Sequence, residues 1–247
     1  MAKHLAMAGK GGTGKTTIAS LLIRYLIEQK KGSILAVDAD PNSNLNEALG
    51  FEVPNTISTI LADIKKNNVP TGMTKETYLQ LKLHQALVET KDVDLLVMGG
   101  PQGPGCYCFP TDLLKRHLAV LDKNYDYMVI DNEAGMEHIS RQTIQDVDIM
   151  FVVSDATAKG VRTAGRIYEL AKSLNIKIGE AYLIITKISD PEPLQSEIDA
   201  TALNLLGIVP NDPMVVEFDL EGKPMMDLPA SCPAVQATRE MFGKLSL

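Results

Sequence analysis

The chain distributes its apolar residues in two alternating patterns. Short continuous runs at 5–8, 33–37, 93–98, 125–131, 148–153 and 181–186, bounded by polar residues or glycine, predict buried strands. Between them the apolar positions recur at helical spacing. Ile18, Leu21, Leu22, Tyr25 and Leu26 form one stripe that Gly32 stops, and similar stretches predict helices over 111–122, 161–174, 194–206 and 234–245. A further short strand is expected at Ile208 and Val209. Residues 42–49 read as a short helix, and 42–92 as an insertion-like helical segment over the sheet, interrupted by Pro54, Pro70 and Gly72. Strand and helix alternate from end to end, which predicts one α/β domain over 1–247, a mostly parallel doubly wound sheet with helices on both faces.

The first strand runs into Gly9-Lys10-Gly11-Gly12-Thr13-Gly14-Lys15-Thr16-Thr17. This fits G-x-x-x-x-G-K-[ST], the phosphate-binding loop, in its required setting of a strand before and a helix after. Glycines let backbone amides turn around phosphates, and the helix starting near Lys15 adds the positive end of its dipole. Lys15 is then placed to reach the β- and γ-phosphates of ATP, and the Thr16 hydroxyl to ligate Mg²⁺.

Two other strand ends carry carboxylates. The run at 33–37 ends in Asp38-Ala39-Asp40-Pro41, at the edge where doubly wound sheets bind ligands. One aspartate can organise Mg²⁺ and its water shell, the other can orient the attacking water. Asp131 occupies the Walker B position, and Asp131-Asn132-Glu133-Ala134-Gly135 spaces a glycine whose amide can contact the γ-phosphate. The polar stretch 136–141 is expected to move with nucleotide state.

Lys10 places a second cation at the start of the loop, and on physical grounds alone it raises the local positive potential. The order Gly9-Lys10-Gly11-Gly12-Thr13-Gly14-Lys15-Thr16 also resembles the deviant P-loop of the MinD/ParA-like ATPases. That resemblance implies an ATP-dependent homodimer in which Lys10 reaches the partner's nucleotide, and a P-loop NTPase fold of the MinD type. It implies switch I at 38–41, with Asp40 as the catalytic carboxylate beside Lys10 and Lys15. It also places adenine at Thr186-Lys187 and Pro210-Asn211-Asp212. Thr186 stands where that superfamily has the asparagine of its base-reading pair, so backbone groups around Pro210 are expected to carry that contact.

Composition narrows the partners. A chain of 247 residues with 45% hydrophobic and 22% charged side chains supports one large core. Net charge is −7, and no basic run exceeds the pairs Lys30-Lys31, Lys65-Lys66 and Lys115-Arg116, which argues against nucleic acid. No apolar stretch approaches the roughly 18 residues of a membrane span, so a cytoplasmic protein without a membrane partner is expected.

The chain has three cysteines, too few for a disulfide framework. Cys106 and Cys108 lie in a proline- and glycine-rich loop at 99–110. As residues alone, the pair fits a soft-metal site, inert thiols or redox chemistry. Two thiolates leave a divalent ion half coordinated, whereas two protomers of a two-fold dimer supply four sulfurs. Gly105-Cys106-Tyr107-Cys108, with the sequence DNEAGMEHISR at 131–141, resembles the CooC-type nickel-insertion ATPases. These include the AcsF proteins, which mature carbon monoxide dehydrogenase and acetyl-CoA synthase. The resemblance covers essentially the whole chain. It implies ATP, Mg²⁺ and Ni²⁺ as ligands, with Zn²⁺ able to occupy the same Cys106/Cys108 site, and one of those two enzymes as the nickel client.

Cys232, His84 and His138 lack sequence partners and read as structural or hydrogen-bonding residues. Two other classes compete. A spatial-organisation or partition ATPase needs a basic or membrane-binding surface that the tail from Arg239 to Leu247 does not supply. An iron–sulfur carrier or reductase, similar to the nitrogenase iron protein, would also share cysteines across a two-fold axis.

Overall fold

The computed structural model describes residues 1–65, 69–100, 108–134 and 146–247. Among these residues the strands are β1 Lys3–Gly9, β2 Ile34–Asp38, β3 Asp94–Val97, β4 Tyr127–Asp131, β5 Asp146–Ser154, β6 Lys177–Thr186 and β7 Asn204–Val209. They form one seven-stranded sheet in the order β3-β2-β4-β1-β5-β6-β7. Every neighbouring pair is parallel, so all carboxyl ends emerge along one edge.

A parallel sheet needs both faces covered. The connecting helices are α1 Lys15–Glu28, α2 Leu45–Leu49, α3 Ile57–Lys65, α4 Lys75–Ala86, α5 Cys108–Leu121, α6 Ala158–Ser173, α7 Gln195–Asp199, α8 Pro213–Leu220 and α9 Pro233–Gly243. Side chains alternate across each strand. Leu5 and Met7 of β1 pack against Leu22 and Leu26 of α1 and Phe242 of α9. On the opposite face, Leu35 and Val37 of β2 join Leu61, Leu83 and Leu114 from α3, α4 and α5. Ala6 and Ala8 of β1 join Val161 and Ile167 of α6.

Within 42–92 the described residues form α2, α3 and α4 over the sheet, as expected, and Ile57, Leu61 and Leu83 complete the core over β2 and β3. Several local expectations are corrected. The helix expected over 194–206 stops at Asp199. There Thr201 Oγ1 donates to Ile198 O and accepts from Leu203 N, closing the turn, and the residues beyond it pair with β6 as strand β7. Helix α8 did not register in the apolar pattern. Its start is fixed by Asp212, whose side chain accepts from Met214 N, and by Pro213 in the first turn. Helix α5 opens at Cys108, so the loop expected over 99–110 gives way to helix within its last residues.

Candidate functional site

β1 ends at Gly9, and the next turn of chain must pass close to β5. A Cβ at Gly9, where φ is +151°, would lie 2.3 Å from Val153 O, so this exit requires glycine. Gly12 and Gly14 are left-handed, with φ of +77° and +86°, which turns the loop back on itself before α1 begins. Thr13 Oγ1 donates to Lys10 O at 2.9 Å and Lys15 Nζ to the same carbonyl at 3.3 Å. Lys15 is buried, and desolvation lowers its pKa against the opposing pull of Asp131, Asp40 and Glu133. A cation desolvated in this way is primed for an anion. Lys10, in contrast, is exposed.

Asp38 and Asp131 are register partners at the ends of β2 and β4. Both are buried, at 0% and 2% exposure. Thr16 Oγ1 donates to Asp131 Oδ2 at 2.6 Å, while Asp131 Oδ1 is buried without a partner. Burial pushes Asp131 up to about 6, and burial together with the Asp131 charge pushes Asp38 up to about 7. An orphaned carboxylate oxygen beside a threonine hydroxyl is a hard-oxygen donor set that fits Mg²⁺.

Asp38 is turned a different way. Its Oδ1 accepts from Asp40 N and its Oδ2 from Leu45 N, both at 3.0 Å, so the carboxylate shapes the 38–45 turn. The sequence reading gave it a share of the Mg²⁺ shell, and the structure commits both oxygens to the backbone. Asp40 stands half-buried in that turn, with Oδ1 accepting from Asn42 N at 2.8 Å and its charge acting on Lys15. Two longer-range ties lock the carboxyl ends of the strands together. Ala39 N donates to Asp131 O at 2.9 Å, and Asn132 Nδ2 to Met7 O at 2.8 Å.

The residues expected around the base come together beside the P-loop. Thr186, Lys187, Pro210, Asn211 and Asp212 line one cleft with Gly14 and Thr17. Thr186 Oγ1 lies 2.8 Å from Thr13 O and 3.2 Å from Ser154 O, so its hydroxyl proton is spent on the backbone of the P-loop and β5. Lys187 has φ of +62° and its Nζ donates to Gly12 O at 3.3 Å.

Asp212 lines that cleft and turns its carboxylate inward. It accepts from Met214 N at the start of α8, and from Ala234 N and Cys232 Sγ at the start of α9. Burial alone would raise its pKa, but these donors outweigh it and hold the carboxyl below its ordinary value. Cys232 is buried there, its thiol pushed up by burial and then by Asp212, which is the structural role expected of it.

Cys106, Gly135 and His138 lie outside the described residues, and Cys108 is the first residue of α5. The chain leading toward the cysteines is described as far as Gly100, and it leaves the sheet against switch I. Met98 N donates to Asp38 O at 2.9 Å, and Ser58 Oγ to Gly99 O at 2.8 Å. A Cβ at Gly100 would lie 3.2 Å from Pro41 O. Sequence reading missed these ties, as it missed Ser154 and Asn132, because each joins segments distant in the chain. Among the described residues no group of three or more His, Cys, Asp or Glu gathers as a metal site. No helix among them is long and apolar enough to cross a membrane.

With this geometry in view, residues 5–225 match the model of the CobQ/CobB/MinD/ParA nucleotide binding domain. An uncharacterized ATP-binding protein of Methanocaldococcus jannaschii is 43% identical over 247 residues, covering 98% of this chain and 97% of that protein. The carbon monoxide dehydrogenase accessory protein CooC of Rhodospirillum rubrum is 33% identical over 244 residues, covering 92% of this chain and 91% of that protein. Among solved structures, the septum site-determining protein MinD complexed with Mg-ADP from Pyrococcus horikoshii aligns with a TM-score of 0.73 at 21% identity, over 100% of this chain and 96% of that one.

Proposed function

The chain belongs to the CobQ/CobB/MinD/ParA nucleotide-binding family of ATPases, and on that premise we propose that it is an ATP-dependent nickel chaperone. Its homodimer would hold Ni²⁺ between paired Cys106 and Cys108 thiolates and deliver it to carbon monoxide dehydrogenase or acetyl-CoA synthase. One observation carries the reading: the backbone that leads to the cysteines is bonded to switch I through Met98 N and Asp38 O, so the segment that senses nucleotide and the segment that precedes the thiols share a contact. The likeness to a carbon monoxide dehydrogenase accessory protein supports the choice of metal and client.

The P-loop amides and Lys15 hold the phosphates of ATP, and Thr16 and Asp131 hold Mg²⁺, which when bound neutralises charge on the β- and γ-oxygens. Asp40 orients the attacking water and takes its proton. Exposed Lys10 reaches the nucleotide of a second protomer, and closure brings the two C-x-C pairs into one four-sulfur site. A metal that binds only the closed dimer stabilises that dimer, so by reciprocity ATP tightens metal binding.

Anaerobic metal analysis tests this. Cys106→Ala with Cys108→Ala is expected to remove one nickel per dimer and leave ATP binding intact, and retention of that nickel would place the site elsewhere. Activation of apo-carbon monoxide dehydrogenase and of apo-acetyl-CoA synthase by the nickel-loaded protein then assigns the client.

A further inference from the structure

Away from the nucleotide, α4 and α5 bring together two histidines that the sequence keeps far apart. His84, in the last turn of α4, is exposed, whereas His117 on α5 is only 7% exposed. Their ring centroids lie 6.1 Å apart at an interplanar angle of 61°. The Nε2 of the His117 ring is buried without a hydrogen-bond partner. A buried, unsatisfied ring nitrogen costs stability.

The arrangement is the one that prepares an imidazole for a metal. An imidazole nitrogen with no hydrogen-bond partner is free to ligate. Burial, and then the neighbouring His84, hold His117 below the ordinary imidazole pKa, which keeps the ring uncharged at neutral pH. His117 shares α5 with Leu114 and Leu118, members of the apolar cluster that also contains Leu61 and Leu83. With metal–nitrogen bonds of about 2.1 Å and near-tetrahedral angles, two imidazoles on one ion have centroids about 5 to 5.6 Å apart, so a small movement of exposed His84 closes the observed 6.1 Å to that spacing.

We propose that His84 and His117 form a second divalent-metal site, for Ni²⁺ or Zn²⁺, with water completing the coordination shell. His84 is its exposed mouth and His117 its buried anchor. The ion would cross-brace α4 and α5, the helix that opens at Cys108. The site does not depend on the cysteines, and its test is arranged to keep the two apart.

Zn²⁺ is titrated into Cys106→Ala/Cys108→Ala protein and into the same protein carrying His84→Ala or His117→Gln. Calorimetry reads binding and long-range ¹H–¹⁵N spectra read the ring nitrogens. The cysteine-free protein is expected to bind one Zn²⁺ saturably, to shift the Nε2 resonance of His117 and to unfold at a higher temperature with metal. His84→Ala, on the surface, is expected to abolish all three while leaving the metal-free melting temperature and ATP turnover unchanged. The inference fails if the cysteine-free protein binds no Zn²⁺ saturably, or if His84→Ala binds it as tightly. Either failure leaves the cysteine site standing, because that site is read by comparing wild type with the cysteine-free protein.

Discussion

Asp131 concentrates the chemistry of the site at a single side chain: one oxygen is held by Thr16 and the other is buried and bare. Its carboxyl is pushed up to about 6, and that of Asp38 to about 7, from the ordinary 3.8, chiefly by burial. A carboxyl whose folded pKa is raised contributes stability that is full below its unfolded pKa and is lost as pH rises through the folded value. The metal-free protein should therefore lose on the order of 3 kcal/mol at Asp131 between about pH 4 and pH 7. In urea unfolding, Asp131→Asn should gain on wild type across that window, and a pH-independent difference would refute the assignment. Mg²⁺ needs the ionised form, so Mg²⁺-dependent ATP binding should weaken as pH falls below about 6. At Asp40 the expectation is kinetic: Asp40→Ala keeps ATP affinity and lowers turnover by roughly 10²- to 10⁴-fold. The placement of the P-loop, Asp40 and Asp131 at strand ends was legible in the sequence because it follows from fixed local spacing. The duties of Thr186 and Asp212 were not, because their partners Thr13, Ser154, Cys232 and Ala234 come from other segments, and that of Asp38 depends on how the 38–45 turn folds back on its carboxylate.

At the scale of elements, strands with continuous apolar runs were legible, and so were helices with a clear stripe. What escaped was settled by tertiary contact. The 194–206 stretch became helix, turn and strand because pairing with β6 competes with helical propensity. Helix α4 has apolar residues too scattered to announce a buried face, yet Leu83 and Ala86 close the core. Asp212 shows how one side chain can join two elements, since it caps α8 and meets the first turn of α9. Asp212→Ala should cost about 2 to 4 kcal/mol in thermal or urea unfolding, the sum expected for two lost caps and an unpaired thiol. It should also weaken ATP binding, because the cleft beside Gly14 is built on those two helix starts. Unchanged stability would mean that the caps are redundant.

For the whole molecule, the parallel sheet gathers Gly9, Asp38, Asp131 and the start of the cysteine segment along one edge. β3, which precedes the cysteine segment, is separated from β1, which leads into the P-loop, by β2 and β4, so the two strands lie on the order of 14 Å apart laterally. On the proposed function, the turn at 38–41 and closure of two protomers would couple the two sites. The doubly wound architecture was legible from alternation alone, whereas the contact between switch I and the chain running toward the cysteines required the folded chain. The most direct measurement is the nickel dissociation constant of protein carrying Asp40→Ala, to hold ATP without turnover, and His84→Ala, to remove the histidine site, determined anaerobically with and without ATP and paired with sizing. ATP should convert monomer to dimer and tighten nickel binding by roughly 5- to 150-fold at one ion per dimer. Equal affinity in both states, with nickel bound to monomers, would contradict the account.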